Sequence, residues 1–479
     1  MPETLTYLAT LKPVLLRTDA LVFLLVIAIG GFVFYVRRHV HLREPWQRVF
    51  ARRSGMAAAV VLSAFVAVGL LDSVHFREPL EQRGNDGEVF YSVEVLSLLD
   101  LALRPLKERS EKTYSAPFAT HLYAKETLEL PDGSKVRDYP RLLYGGAHLG
   151  DPEHERWPDI LQRSSQGLIN GTVAWLIFAL LWVGLLAHHG SRPYGWMLRQ
   201  VVAGRTALPW RTMLVTAGMI FLAVAWAMEL APHYHIFGTD KVGQDVFYQT
   251  LKSVRTALVI GTLTTLVMLP FALVLGIMAG YFRGWVDDGI QYLYTTLNSI
   301  PGVLLIASAV LMLQVYIDTH PELFETAAER ADLRLLFLCI ILGVTSWTTL
   351  CRLLRGEAMK LQGVEYVQAA VAFGVRDRRI MSRHILPNVM HIVLITVVLD
   401  FSGLVLAEAI LSYVGVGVDP SMHSWGNMIN SARLEMAREP MVWWSLLAAF
   451  VFMFVLVLAA NLLADAVRDA FDPRLRRGR

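Results

Sequence analysis

The chain has 479 residues, of which 54% are hydrophobic, and its mean hydropathy is +0.44. Soluble domains are about 45–50% apolar. The excess here lies in blocks of roughly 17–25 residues, which as helices are long enough to cross about 30 Å of hydrocarbon. The short alternating segments of a membrane β-barrel are absent. Composition therefore predicts an all-α polytopic protein of the lipid bilayer and excludes a soluble protein; we expect no nucleic-acid partner.

Nine blocks are candidate membrane spans. The first is followed by the basic run "RRHVHLREPWQRVFARR" and not by a small-residue cleavage site, so we expect it to remain as an anchor. The nine predicted spans are centred on Leu21–Val36, Met56–Leu71, Leu168–Ala187, Thr212–Leu230, Ala257–Tyr281, Ser299–Ile317, Leu335–Leu350, Val389–Tyr413 and Val442–Ala464.

Positive charge predicts the orientation of these spans. Six arginines follow span one, four arginines and no acid lie in the loop after span three, and the chain ends in "RLRRGR". The stretch 352–387 carries seven Lys and Arg against three acids. With nine spans all four segments lie on one side, which the positive-inside rule makes cytoplasmic. We therefore expect the N-terminus outside and the C-terminus in the cytoplasm.

The polar and apolar segments divide the chain into four parts. A polar stretch of 94 residues with 16 acids and several turn signals separates the second span from the third. It is long enough to form a small domain outside the membrane, and "TLELPDGSKVRDY" predicts a hairpin around Asp132-Gly133. The predicted parts are two anchoring spans (1–72), an extracytoplasmic insertion (73–166), a third extra span with a cytoplasmic linker (167–208) and the main bundle (209–479).

The stretch "EYVQAAVAFGVRDRRIMSRHILPN" (365–388) differs from the apolar segments on either side of it. Read as a helix, it places Tyr366, Ala369, Ala370 and Phe373 on one apolar face. Gly374 is a typical helix end, a second basic helix follows, and Pro387 stands at the entry to the next span. Small residues permit close approach of a partner and arginines can pair with its acids, so we predict a docking segment.

This stretch resembles the "EAA" loop of permease subunits of ATP-binding-cassette importers, and more closely the C-type permease of the dipeptide, oligopeptide and nickel group. "FGTDKVGQDVFYQTLKSVRTAL", "GIMAGYFRGWVDDGI", "AEAILSYVGVGVDPSMHSWGNMI" and "LLADAVRDAFDPRLR" resemble further segments of that group, in its order, between Leu230 and Arg476. Gln368 stands where the wider family has glutamate, and Gln244 where arginine is usual. The first 200 residues have no counterpart in the resemblance.

The resemblance implies a fold and a function. The fold is a type I importer bundle of about six core spans, with a core at 254–468, plus about three extra N-terminal spans and the insertion. The function is a bacterial inner-membrane permease subunit for peptides, without an ATPase site or cofactor of its own. ATP is bound by partner subunits docked at a coupling loop within 352–387, for which the candidate residues are Glu365, Gln368, Ala369, Ala370, Gly374, Ile385, Leu386 and Pro387.

The resemblance also implies partners. They are a homologous B-type permease, two P-loop ATPase subunits and an extracytoplasmic substrate-binding protein that delivers a peptide or another small solute. Nickel or opines are alternative substrates. A secondary, ion-coupled transporter is a rival reading, but two matching halves are absent. An intramembrane hydrolase is disfavoured because neither H-E-x-x-H nor G-x-S-x-G occurs.

Two acids inside span eight, Asp400 and Glu408, are candidates for the translocation path. A carboxylate near mid-membrane costs roughly 2.5–3.5 kcal/mol on insertion scales, so it should face protein or a water-filled route. The alternative for both is a hydrogen bond between packed helices. His233 and His235 have a spacing that a metal can use, but two histidines without further ligands are weak evidence, and we predict no metal site.

Overall fold

The computed structural model describes residues 11–83, 89–129, 135–324 and 326–471. Within these ranges nine helices are long and apolar enough to cross a membrane, which confirms the predicted fold class and span number. They are built on α1 (Arg17–Arg38), α3 (Arg53–Asp72), α6 (Pro152–His189), α8 (Trp210–Leu230), α9 (Val246–Phe282), α11 (Gly302–Thr319), α12 (Ala327–Gln362), α15 (Leu386–Tyr413) and α17 (Trp444–Phe471).

Shorter elements lie at the two ends of this bundle. The short helices are α2 (Val40–Ala51), α4 (Leu98–Ala102), α5 (Arg104–Glu108), α7 (Tyr194–Val202), α10 (Gly284–Ser299), α13 (Glu365–Ala372), α14 (Asp377–Ile380) and α16 (Trp425–Glu435). The strands are β1 (Lys12–Val14), β2 (His75–Arg77), β3 (Pro79–Arg83), β4 (Val89–Tyr91), β5 (Leu96–Ser97), β6 (Glu126–Glu129) and β7 (Lys135–Asp138).

Helices α9 and α12 form a close parallel pair at the centre of the bundle. A Cβ atom on Gly276 would lie 2.9 Å from the carbonyl oxygen of Cys351, and one on Gly280 would lie 2.5 Å from that of Arg355. Real Cβ atoms do not approach carbonyl oxygens so closely, so only glycine permits this distance between the helix backbones. At the other end of the pair, Arg255 of α9 lies 3.7 Å from Asp332 of α12.

The insertion lies between α3 and α6 and carries most of the strands. An antiparallel sheet has the order β1-β2-β5, so the segment before α1 pairs with the start of the insertion. Strands β6 and β7 pair as the predicted hairpin; its turn at Asp132-Gly133 lies outside the described residues. Residues 152–166, at the end of the predicted insertion, form the first turns of α6.

A buried ion cluster joins the extra N-terminal span α1 to the central pair. Arg255 donates to Oδ1 of Asp19 at 2.6 Å, and the Oδ2 of Asp19 is 2.8 Å from Nδ1 of His75. Thr18 donates from its backbone N–H to Asp332 at 3.1 Å and also from its hydroxyl. The carboxylates and the guanidinium are all nearly inaccessible to solvent. The extra span is therefore packed into the bundle and is not a detachable anchor.

The insertion is attached to the loop before α9 through His235. Its Nδ1 is 2.8 Å from Asp245 and its Nε2 is 3.5 Å from Glu111 of the insertion. Glu111 also accepts backbone N–H groups of Leu143 and Tyr144 at 2.9 and 2.8 Å. Burial by itself would lower the pKa of His235, but the two carboxylates raise it to about 9, so His235 carries a proton at neutral pH.

Removing one partner of the α1 ion cluster tests this attachment. Asp19→Asn leaves the guanidinium of Arg255 buried without its main counter-ion. We expect the free energy of unfolding to fall by about 3–5 kcal/mol, the range for a broken buried ion pair. The measurement is the thermal unfolding of the detergent-solubilised chain. Asp318→Asn, at an exposed acid of α11, is the matched control. Equal melting temperatures for the two variants would contradict the cluster's role.

The His235 contact predicts a pH dependence of stability. The pKa of His235 is about 9 in the folded chain and about 6.5 in the unfolded chain. The stability that protonated His235 contributes is therefore fully present below pH 6.5 and is lost as the pH rises through 9. We expect the melting temperature to fall between pH 7 and 10. His235→Gln should flatten that decline, whereas His233→Gln should retain it. If the melting temperature of His235→Gln fell with pH in parallel with that of the wild type, His235 would not be the source of the pH dependence.

Candidate functional site

The predicted docking segment forms the helix, glycine bend and helix that the sequence indicates. Helix α13 ends where Gly374 adopts φ +70°, a left-handed conformation that glycine enters without steric cost. The N–H of Gly374 donates to Val371 at 2.9 Å and that of Val375 to Ala370 at 3.1 Å, which satisfies two free carbonyls of the last turn. The chain then reverses into α14.

Helix α14 continues into span helix α15 without a loop, which the sequence did not predict. Residues Met381–Ile385 form a π-helical turn, in which the N–H of Leu386 donates to the carbonyl of Met381. Pro387 is in the first turn of α15 and has no N–H to donate. The wider π turn accommodates the proline, so residues Asp377–Tyr413 form one continuous helix. A displacement of α14 would therefore also displace the membrane span.

The inner face of the segment is fixed to the ends of α9 and α12. Val367, Ile380 and Ile385 are fully buried in an apolar cluster with residues of both helices. Full burial of such side chains contributes about 1.5–3 kcal/mol each. The hydroxyl of Tyr281, near the end of α9, donates to Asp377 at 2.7 Å. The amide of Gln362 donates to the carbonyl of Tyr281 at 2.9 Å.

The outer face of the segment is apolar and open to solvent. Phe373 is 87% exposed, Val371 52% and Tyr366 42%. Arg376 in the bend and Arg378 and Arg379 in α14 are also exposed. We call the exposed apolar side chains of α13, together with Phe373, the apolar docking face. A side chain as large as Phe373 in water at a well-anchored helix end indicates a contact with another protein.

The structure divides the eight predicted coupling residues by exposure. Ala370 and Leu386 are half-buried, and Ile385 is fully buried. Ile385 therefore packs on the inner side of the segment, in the apolar cluster that anchors it. The exposed members are Glu365, Gln368, Ala369, Gly374 and Pro387.

Sequence reasoning missed the residues that hold the segment's base. Arg355 of α12 donates to both carboxylate oxygens of Asp287 of α10, at 2.5 and 2.7 Å. This paired geometry is specific to arginine and carboxylate, and it fixes α10 beside the end of the central pair. The hydrogen bond from Tyr281 to Asp377 is the second such contact, and it joins α9 to α14. These residues lie 68 and 96 positions apart in the chain, so no local pattern could reveal them.

Asp400 and Glu408 occupy different environments along α15. Glu408 is 3% exposed and accepts a hydrogen bond from Ser412 at 2.7 Å, and it faces the start of α16 at Ser424 and Gly426. Asp400 is half-buried, and among the described residues none donates a hydrogen bond to its carboxylate. It borders an exposed stripe of α15 that comprises Leu399, Gly403, Leu406, Ile410 and Tyr413.

The candidate metal ligands have other roles. His235 lies between two carboxylates of the insertion contact, and His233 packs against the ring of His148. Across the described ranges, no group of three His, Cys, Asp or Glu side chains is arranged to hold a metal ion. Cys339 and Cys351 are buried free thiols within α12.

Comparison with known proteins covers the second half of the chain. Residues 272–477 match the family described as "binding-protein-dependent transport system inner membrane component". The chain is 32% identical over 247 residues to the oligopeptide transport system permease protein OppC of Mycobacterium tuberculosis, which covers 51% of this chain and 78% of the relative.

Two further relatives carry the same kind of name. The chain is 30% identical over 295 residues to the glutathione transport system permease protein GsiD of Pectobacterium atrosepticum, covering 56% of this chain and 90% of the relative. It is 29% identical over 243 residues to the dipeptide transport system permease protein DppC of Bacillus subtilis, covering 51% and 70%. Residues 1–271 lie outside the family match.

Proposed function

Because the chain belongs to the family of inner membrane components of binding-protein-dependent transport systems, within its peptide-type C group, we propose that it forms half of a translocation pathway for di- or oligopeptides. The relatives' names favour peptides over nickel, opines or an ion-coupled mechanism. The observation that carries the proposal is the apolar docking face: an 87% exposed phenylalanine on a buried, hydrogen-bonded base.

The partners in this proposal are those that the family implies. A second, B-type permease completes the pathway, two P-loop ATPases bind the docking segments, and an extracytoplasmic protein delivers substrate. ATP binds to the ATPase subunits, and this chain carries no ATPase site. The basic segments, including the docking segment, lie in the cytoplasm, which puts the N-terminus and the insertion outside the inner membrane.

The docking segment transmits ATPase movement along a continuous path. When an ATPase subunit bound to the apolar docking face moves, it displaces α14, and the π turn transmits this displacement to α15. The anchors Tyr281 and Ile380 make the ends of α9 and α12 follow. Alternating access is then rigid-body rocking of this bundle against the B-type permease.

Asp400 lies on the translocation path in this proposal. Its half-buried carboxylate, without a hydrogen-bond donor among the described residues, borders the exposed stripe of α15 that would face the second permease. A carboxylate at this depth is stable beside water or a charged solute and costly against lipid. Glu408, which is enclosed by Ser412 and the start of α16, contributes to the path's wall through packing.

Substitution at the docking face tests ATPase binding. Phe373→Glu places a charge in an apolar contact without disturbing the buried base, so the chain should fold normally and lose its ATPases. The measurement is mass spectrometry of the complex extracted in mild detergent, together with its melting temperature. Leu434→Glu, at a 69% exposed leucine of α16, is the matched control and should retain the ATPases. Full ATPase recovery with Phe373→Glu would refute the docking role.

Substitution of Asp400 tests the path. Asp400→Ala removes a carboxylate that this proposal places beside the moving peptide, and we expect peptide uptake in proteoliposomes to fall about tenfold, equivalent to about 1.4 kcal/mol. ATPase recovery should be unchanged because α13 is intact. Uptake at the wild-type rate would remove Asp400 from the path and leave it a helix-packing residue.

A further inference from the structure

A polar cavity lies at the end of the bundle opposite the docking segment. Its volume is about 320 Å³, and it is enclosed by the loop before α9, the loop after α15 and helix α16. The lining is rich in carboxylate, amide and hydroxyl groups, among them Asp240, Gln249, Asn427, Ser431 and Glu435. Cavities of this size hold small ligands or one end of a longer one.

Glu435, the last residue of α16, lines this cavity and has one unsatisfied carboxylate oxygen. The side chain is 4% exposed. Its Oε1 accepts a hydrogen bond from the hydroxyl of Tyr114 at 3.2 Å. Its Oε2 is buried and has no hydrogen-bond partner among the described residues. Leaving a buried polar atom unpaired is unfavourable, and more so for a charged group, so this oxygen indicates a missing donor.

The second carboxylate of the cavity is already satisfied. Oδ1 of Asp240 accepts the backbone N–H groups of Val242 and Gln244, both at 2.9 Å. Its Oδ2 accepts the amide of Gln249 at 2.7 Å. Asp240 therefore shapes the wall and adds negative charge, whereas Oε2 of Glu435 still lacks a donor among the described residues.

The cations near Glu435 do not occupy this oxygen. Lys241 lines the same cavity but forms no ion pair with Glu435 in the described structure. The guanidinium of Arg438 lies over the ring of Tyr114, 5.0 Å from its centroid. Burial raises the pKa of the Glu435 carboxyl, and a donor bearing a positive charge at Oε2 would stabilise its ionised form.

We propose that this cavity binds a primary ammonium group, the amino terminus of the transported peptide, with Oε2 of Glu435 as its acceptor. The inference rests on the proposed peptide-import function and adds a substrate group and a residue to it. An ammonium supplies three donors on a compact cation, which suits one free carboxylate oxygen among hydroxyl and amide acceptors. Tyr114 belongs to the insertion, so the insertion acts as a positioning element for Glu435.

A binding measurement tests the site. The complete importer without its binding protein is titrated with radiolabelled alanyl-alanine amide, whose charge is the terminal ammonium alone. We expect saturable binding to the wild type, no competition by the N-acetylated peptide amide, and an affinity about tenfold weaker in Glu435→Gln. Glu322→Gln, at an exposed acid outside the cavity, should bind as the wild type does.

The outcomes separate this site from the proposed function. Absence of saturable binding, competition by the N-acetylated form, or unchanged affinity in Glu435→Gln would overturn the ammonium site. If Glu435→Gln does not assemble, the ammonium site is still tested on the wild type, where competition by the N-acetylated peptide amide would overturn it. Peptide uptake is measured separately with the binding protein present: a wild type that takes up no peptide refutes the import function, whereas uptake without the binding result refutes the site alone.

Discussion

The close parallel packing of α9 and α12 is the constraint on which the rest of the structure depends. Gly276 and Gly280 bring the two backbones together, and helices of 37 and 36 residues span about 55 Å at 1.5 Å per residue. One end of this pair holds Arg255 beside Asp332, and the other places Tyr281 beside Asp377. A single rigid unit thus supports both the docking segment and the opposite rim of the bundle.

That unit explains how a helix of eight residues keeps its position although its outer face is exposed. Short isolated helices are marginal in water, but α13 and α14 are held by fully buried Val367, Ile380 and Ile385. The π turn then joins α14 to α15 without a flexible loop. The segment that carries Phe373 is therefore joined to span helix α15 without a flexible loop after α14, an arrangement that suits the proposed coupling.

The same unit explains why the extra N-terminal region is integral to the protein. Burying Asp19 and Arg255 is costly unless each has its partner, so α1 is secured on α9 by the cluster. Lys252 of α9 binds Asp72 and Asp100 at 2.5 and 3.0 Å in the same way. The insertion is consequently held against the rim, where Tyr114 donates a hydrogen bond to Glu435 of the cavity lining.

Sequence by itself determined the local features, because hydrophobic length, helix periodicity and glycine conformation act over a few residues. These predicted the nine spans, the β6–β7 hairpin and the end of α13 at Gly374. Only the tertiary structure decided the buried place of Ile385, the fusion of α14 with α15, and the partners of Arg255, Arg355 and Glu435. Those contacts join residues far apart in the chain, and their energies depend on burial and distance, which no short pattern encodes.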